Sequence, residues 1–402
     1  MTAKPVLIVA THVLPAKGYG GVAVVASDLA KALAAKTPVT MVASDASAIG
    51  PSVSREEAAR IAGCGVYLYR SRLQKKQGFG LAAIAVIMRH VMRSRAVYIC
   101  GVSTAPTTIA LIACWALRKP FVLGLHGGFM DVHMAKIHEK KPLKALFYRY
   151  VVQPLGNKAN AIHVMGDAEA RESAQYFSKP MLAAPIGVSC KRLVAAPPPE
   201  TAPQHQTNFL YVGRLSPEKG VLPLLETWRA SARPHDTLRV IGSGTGGYAD
   251  AARKLMALDD RITFAGEQPR EKVFEAIKAC HFLVLASRMD GAGWENYGLV
   301  IAEALALGRP VIVPKGLTWD DVGPASAGFV FPSNRPGLAH ALQKAAQLSA
   351  GEYHKMAISA RRLAEASFDV DRQADRLLAA LFQTAKPASM AVSAAAPQGR
   401  AT

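Results

Sequence analysis

Two carboxylates stand eight positions apart in Glu295-Asn296-Tyr297-Gly298-Leu299-Val300-Ile301-Ala302-Glu303, across a glycine turn that leads into an apolar, helix-forming run. The first falls in the turn and the second inside the helix, whose leading N–H groups and positive dipole end favour a phosphate between them. Upstream, Tyr211-Val212-Gly213-Arg214-Leu215-Ser216-Pro217-Glu218-Lys219-Gly220 sets two cations on a strand-to-helix turn. Carboxylates suit sugar hydroxyls. Arg offers a bidentate fork and Lys a mobile point charge for the oxygens of a pyrophosphate. A reaction that expels a diphosphate gains most from charges already in place for the leaving group. The chemistry indicated is that of a nucleotide-sugar site.

The elements that position these residues alternate between apolar strands and helical patterns. Strands are expected at 6–10, 39–43, 66–69, 97–101, 121–125 and 162–164, then at 208–212, 238–241, 262–265, 282–285 and 310–313. Such alternation implies parallel sheets, because a parallel connection needs a crossover element. The stretch 195–207 is too proline-rich for a helix and too polar for a core, and reads as a linker between two Rossmann-like domains. The expected organisation is a first domain over 1–195, a linker over 196–207, a second domain over 208–368, a C-terminal helix over 369–383 that can pack back on the first domain, and a disordered tail over 384–402 rich in Ala, Ser and Pro. Residues 96–117 carry no charge and are long enough to span a bilayer. Ser103, Thr104, Pro106, Thr107 and Thr108 divide that stretch, so it reads as strand, loop and helix. The five cysteines are odd in number, scattered and without metal-ligand spacing, which points to a reducing compartment. The N-terminal apolar run is too short for a signal peptide, so a cytoplasmic location is expected.

Together the two motifs resemble those of the retaining GT-B glycosyltransferases of family 4, whose hallmarks are Glu-x7-Glu and an upstream G-R-x-x-x-x-K-G turn. The resemblance runs from Lys17-Gly18-Tyr19-Gly20-Gly21 to Phe368-Asp369-Val370-Asp371-Arg372. It implies an α/β, GT-B architecture in which two Rossmann-like parallel-sheet domains face each other across a cleft, the second holding the donor and the first the acceptor. It implies catalytic roles for Arg214, Lys219, Glu295 and His126, the last in Gly124-Leu125-His126-Gly127-Gly128 at a strand end. Glu303 resembles the family Glu that binds the nucleotide ribose, and Glu295 the one that contacts the donor sugar. Gly20, Gly21, Gly244, Gln268, Asn296, Tyr297, Gly298 and Leu299 fall to donor binding by the same resemblance. The family uses no generally accepted enzymic nucleophile, and neither a metal nor a cofactor is expected beyond the UDP- or GDP-sugar co-substrate. Two departures stand out. The 287–294 loop is longer than usual, and Ile186 stands where the family junction commonly reads P-N-G-V.

Charge divides unevenly. Residues 1–195 carry 25 Lys+Arg against 9 Asp+Glu, a net +16, and residues 196–402 carry 23 against 20. A basic acceptor domain suits a lipid-linked or anionic glycan acceptor, as in bacterial lipopolysaccharide or exopolysaccharide synthesis, or an anionic membrane surface. Two amphipathic segments concentrate the effect: 79–95, with Leu81, Ile84, Met88, Val91 and Met92 near one face and Arg89, Arg93 and Arg95 beside it, and 136–149, with Lys136, Lys140, Lys141, Lys144 and Arg149. The plainer reading packs their apolar faces on the sheet. No nucleic-acid motif accompanies the charge. Asp369-Val370-Asp371 has the form of a metal-binding D-x-D but precedes a helix that Asp can cap, so no metal site is assigned. Gly242-Ser243-Gly244-Thr245-Gly246-Gly247 fits G-x-G-x-x-G with Glu267 downstream, which keeps a dinucleotide-dependent oxidoreductase as a rival. The other rivals are a sugar-nucleotide epimerase on the same scaffold and a non-catalytic sugar-nucleotide binder.

Overall fold

The run Val6–Ala10 is buried at every position and pairs in parallel on both sides, as a strand covered by helices on both faces must. In the computed structural model, which describes residues 3–16, 21–72, 74–185, 187–287, 289, 298–316 and 318–382, this run is β1 of a seven-stranded parallel sheet. With β2 (Val39–Ser44), β3 (Gly65–Tyr69), β4 (Ala96–Cys100), β5 (Phe121–Gly124), β6 (Ala161–Val164) and β7 (Met181–Ala183), the order is β3-β2-β1-β4-β5-β6-β7. A second parallel sheet holds β8 (Asn208–Val212), β9 (Thr237–Ile241), β10 (Ile262–Phe264), β11 (Phe282–Val284), β12 (Val311–Pro314) and β13 (Gly328–Phe331), in the order β10-β9-β8-β11-β12-β13. The chain is thus two Rossmann-like α/β domains. Eleven strands fall where the apolar runs place them; β7 and β13 were not anticipated, and both are edge strands.

Alternate residues of the first sheet bury against two helical layers. Val6, Ile8 and Ala10 meet helices Gly21–Ala34, Arg55–Ala62 and Val370–Phe382, while Leu7 and Val9 meet Ala83–Arg93, Ala105–Ala116 and Asp131–Lys140. The uncharged 96–117 stretch is β4 followed by the helix Ala105–Ala116, whose start Thr104 and Thr107 cap reciprocally. Among the described residues no helix is long and apolar enough to cross a membrane.

The chain crosses between the domains twice, and the two crossings pair. Val188 N donates to Phe368 O at 2.9 Å, Val370 N returns to Val188 O at 3.0 Å, and Asp369 Oδ1 accepts from Cys190 N at 3.1 Å. The D-x-D segment therefore latches the crossover, with Asp371 bridging to Lys191 at 3.1 Å. An added Cβ at Gly187 would lie 1.3 Å from Phe368 O, so only glycine allows the two segments to touch. The proline-rich linker is held against the second domain: buried Arg309 donates to Ala196 O at 3.1 Å, to Pro197 O at 2.5 Å and to Lys278 O at 2.6 Å. Ile186 and residues 383–402 lie outside the described residues.

Candidate functional site

Each sheet reverses its winding once, between β1 and β4 in the first and between β8 and β11 in the second. Open α/β sheets leave a ligand crevice at the carboxyl ends of their strands at such a point. The cationic turn leaves the end of β8. Tyr211 Oη donates to Arg214 O at 3.1 Å and lies 3.4 Å from Lys219 O, which fixes the turn from inside. Gly220 closes it with φ +64°, and an added Cβ would lie 1.8 Å from Ala286 O in the loop after β11. The two loops at the switch point are therefore in contact. Arg214 is exposed and pairs with Glu218 at 3.0 Å. Lys219 is half-buried, and burial with the neighbouring Arg214 charge lowers its pKa to about 8.

Gly298, at φ +66°, begins the helix Leu299–Ala306, which carries Glu303 into the interior. Glu303 is only 6% exposed. Burial raises its pKa, against which Arg270 Nη2, 2.8 Å from Oε1, pulls the other way. Arg270 opens the helix Arg270–Ala279 after β10 and lies 3.6 Å from Asp28 on the first domain's helix Gly21–Ala34; Arg192 reaches the same carboxylate at 3.2 Å. Asp28, Ser189, Arg192, Arg270 and Phe274 line a cavity of about 510 Å³ between the domains. A second cavity of about 210 Å³, beside Phe209, Trp228 and Asp236, lies at the amino ends of β8 and β9, away from the crevice.

His126 follows β5 in the left-handed region, at φ +49°. The buried carboxylate of Glu169 holds the turn, accepting from Gly127 N and, at 2.8 Å, from Met165 N. The Nε2 edge of the His126 ring is enclosed, 3.2 Å from Tyr98 Oη and 3.4 Å from Cys100 Sγ, although the residue as a whole keeps a partly exposed side. Burial, and secondarily the nearby His163, lowers its pKa to about 3. Val25 and Met165 of the first domain pack into the same core cluster as residues of the second, and Gly166 abuts Thr318. The carboxyl ends of the two sheets thus meet across the interdomain cleft.

Of the other expected site residues, Gly21 starts its helix exposed to solvent, and Gln268 Nε2 donates to Ala265 O in the loop after β10. Gly242 and Gly244 follow β9, where added Cβ atoms would lie 1.8 Å from Gly213 O and 2.6 Å from Leu215 O. Those glycines let two loops pack closely and do not open the sheet's first crossover, as a dinucleotide fingerprint does. Gly20, Glu295, Asn296 and Tyr297, and most of the 287–294 loop, lie outside the described residues. Asp28, Tyr98, His163, Glu169 and Arg270 were not anticipated. A histidine inside the apolar strand 161–164 was the one available signal.

Comparison with known proteins agrees with this geometry. Residues 206–347 match the family described as glycosyl transferases group 1, and residues 20–187 the glycosyl transferase 4-like domain. The chain is 23% identical over 205 residues to a phosphatidyl-myo-inositol mannosyltransferase of Mycobacterium leprae, an alignment covering 50% of this chain and 51% of that enzyme, so it spans about half that enzyme's length. In fold it is similar to Anabaena HepE in complex with UDP and glucose (17% identity, TM-score 0.69, covering 94% of this chain and 99% of the other). It is also similar to sucrose-phosphate synthase from Thermosynechococcus elongatus (18% identity, TM-score 0.68, 93% and 97%). The chain belongs to the group 1, family 4-like glycosyltransferases and has the GT-B fold.

Proposed function

We propose that this chain is a retaining, metal-independent hexosyltransferase that moves a sugar from a UDP- or GDP-sugar to a lipid-linked or anionic glycan acceptor in bacterial surface polysaccharide synthesis. The observation that carries this reading is the contact of two loops at the β8/β11 switch point: one presents Arg214 and Lys219, the other leads to Gly298 and the helix of Glu303. In the proposed reaction the anomeric carbon–oxygen bond breaks with its electron pair passing to the diphosphate. The acceptor hydroxyl bonds to the same sugar face and its proton passes to the departing phosphate oxygen. Arg214 and Lys219 carry the charge that a divalent ion supplies elsewhere, Glu303 holds the ribose, and His126 faces the sugar from the first domain.

HepE was crystallised with UDP and glucose, and the mycobacterial relative is named for mannosyl transfer to phosphatidyl-myo-inositol, so UDP-hexoses and a lipid-linked acceptor come first. The first domain supports a lipid-bound acceptor. Residues 75–160 hold 13 Lys+Arg against 2 Asp+Glu. The helices Ala83–Arg93 and Ala105–Ala116 pack beside each other on one face of the first sheet and turn Ile84, Met92 and Trp115 outward.

A melting-temperature screen against UDP-, GDP- and ADP-sugars identifies the donor, since a ligand of the folded state alone raises the midpoint by mass action. Transfer with that donor should survive excess EDTA and keep the donor's anomeric configuration. An inverted product, or activity lost to the chelator and restored by a divalent ion, overturns the mechanism.

A further inference from the structure

His126 does not meet the cleft as an isolated ring. Tyr98 on β4 and His163 on β6 stand behind it on neighbouring strands, and the chain of contacts ends on a backbone carbonyl. His163 Nε2 lies 2.6 Å from Ala184 O, His163 Nδ1 lies 2.8 Å from Tyr98 Oη, and Tyr98 Oη lies 3.2 Å from His126 Nε2. A carbonyl oxygen only accepts, so His163 carries its hydrogen on Nε2. Both rings are buried deeply enough to stay neutral, which leaves His163 Nδ1 as an acceptor. The single hydroxyl hydrogen of Tyr98 is then committed to His163, and its oxygen can only accept from His126.

Cys100 Sγ, 3.4 Å from the same nitrogen, offers the other arrangement. Were its thiol to donate to Nε2, the lone pairs of Tyr98 Oη and His126 Nε2 would face each other at 3.2 Å. A weak S–H donor does not compensate for that. Nε2 therefore carries the hydrogen. Nδ1 is the ring nitrogen without a partner among the described residues.

We propose that Tyr98 and His163 are positioning residues that hold His126 as the Nε2–H tautomer, so that its Nδ1 accepts a hydrogen bond from a hydroxyl of the bound sugar. The relay deepens the role given to His126 above and rests on that reading only for the identity of the hydroxyl. A ring held by a second residue in one tautomer is pre-oriented, as with the partners that orient metal-bound histidines. The orientation comes from β4 and β6, on either side of β5 in one sheet, and from the residue that follows β7, not from the loop that carries His126.

The test is ring-nitrogen NMR on the full chain labelled with ¹⁵N-histidine at neutral pH, with His126→Asn and His163→Gln used to assign the signals. Both rings should show a protonated Nε2 and an unprotonated Nδ1. A Tyr98→Phe variant should give His126 as a tautomer mixture. An Nδ1-protonated or mixed His126 in the unaltered protein overturns the proposal, and this measurement needs no donor, so it stands or falls apart from the transfer reaction. In turnover with the donor found by the screen, His126→Asn, whose side-chain oxygen falls near the Nδ1 position, should retain more kcat/KM than His126→Gln. Tyr98→Phe should lose about 10–100-fold in kcat with UDP affinity unchanged. Equal or better activity of the Gln variant counts against Nδ1 as the acceptor.

Discussion

Lys219 shows how one side chain's surroundings tune the charge of the turn that carries it. Burial and the neighbouring Arg214 charge place its pKa at about 8, so the turn carries both cations below that pH and only Arg214 above it. Affinity for the donor, and kcat/KM, should therefore fall as pH rises through about 8, and Lys219→Arg should move that limb to higher pH. A profile flat from pH 7 to 9.5 would count against Lys219 as a phosphate ligand. Arg214→Ala should lower kcat by about 10²–10³-fold if it acts as a preorganised charge on the leaving group. A second pH effect concerns stability. His126 and His163, at about 3 and about 4 when folded, titrate near 6.5 when exposed. Between those values the unfolded chain binds protons that the folded one refuses, so stability falls as the pH is lowered from 6.5. Each ring should contribute about 1.4 kcal/mol per pH unit. Denaturant midpoints between pH 6.5 and 5, where carboxylates contribute little, check this. His163→Gln should flatten the slope, and a midpoint independent of pH would mean that neither ring is buried neutral.

At the scale of elements, glycine contacts and one buried guanidinium decide which loops can meet. Gly220→Ala would force a side chain into Ala286 O at a left-handed position and push apart the two loops at the switch point. A loss of more than about 2 kcal/mol is expected, with donor affinity lost alongside it, measured by denaturant unfolding and donor titration. Arg309→Met leaves the carbonyls of Ala196, Pro197 and Lys278 without their donor and should cost about 3 kcal/mol or more. Most of this architecture was legible in advance, because eleven strands are apolar runs sharply bounded by polar or glycine residues. β7 and β13 were not. Both are apolar runs of only three and four residues, Met181–Ala183 and Gly328–Phe331, and runs so short do not by themselves separate strand from loop or helix. The cationic turn could be read because its residues are adjacent in sequence. Asp28 could not: its pairing with Arg192 spans 164 positions, and within its own helix it looks like any polar residue. Asp369 was expected as a helix cap, and its carboxylate instead bonds Cys190 N at a crossover that local sequence does not encode.

Over the whole molecule, most of the net positive charge and most of the outward large apolar side chains lie on the first domain. In the segment 79–95, Ala83, Ile87 and Val91 turn inward, while Leu81, Ile84 and Met92 remain exposed, Leu81 at 87%. Leu143, Leu146 and Tyr150 are likewise exposed among Lys140, Lys141, Lys144 and Arg149. The plainer reading, in which the apolar faces pack on the sheet, thus accounts for only half of each segment. The cations there crowd one another: burial lowers the Lys144 pKa and Lys141 adds to the effect, and burial lowers His133 with Lys144, Lys141 and Lys136 adding to it. Such a field is relieved by anions. An anionic leaflet supplies them while its interface receives the leucines. Each cation near that surface contributes about 1 kcal/mol, so changing Lys136, Lys140, Lys141 and Lys144 to Gln should weaken binding to anionic vesicles by about 10²–10³-fold. The attraction decays within a Debye length, about 10 Å at 0.1 M salt, so the unaltered protein should leave the vesicles as salt rises. Leu143→Ser with Leu146→Ser should weaken binding at high and low salt alike, which separates apolar insertion from charge. Co-sedimentation with anionic and neutral vesicles at two salt concentrations measures all of this. If the unaltered protein stays in the supernatant with anionic vesicles at low salt, the domain does not dock on lipid and its basic face would instead meet a soluble polyanionic acceptor.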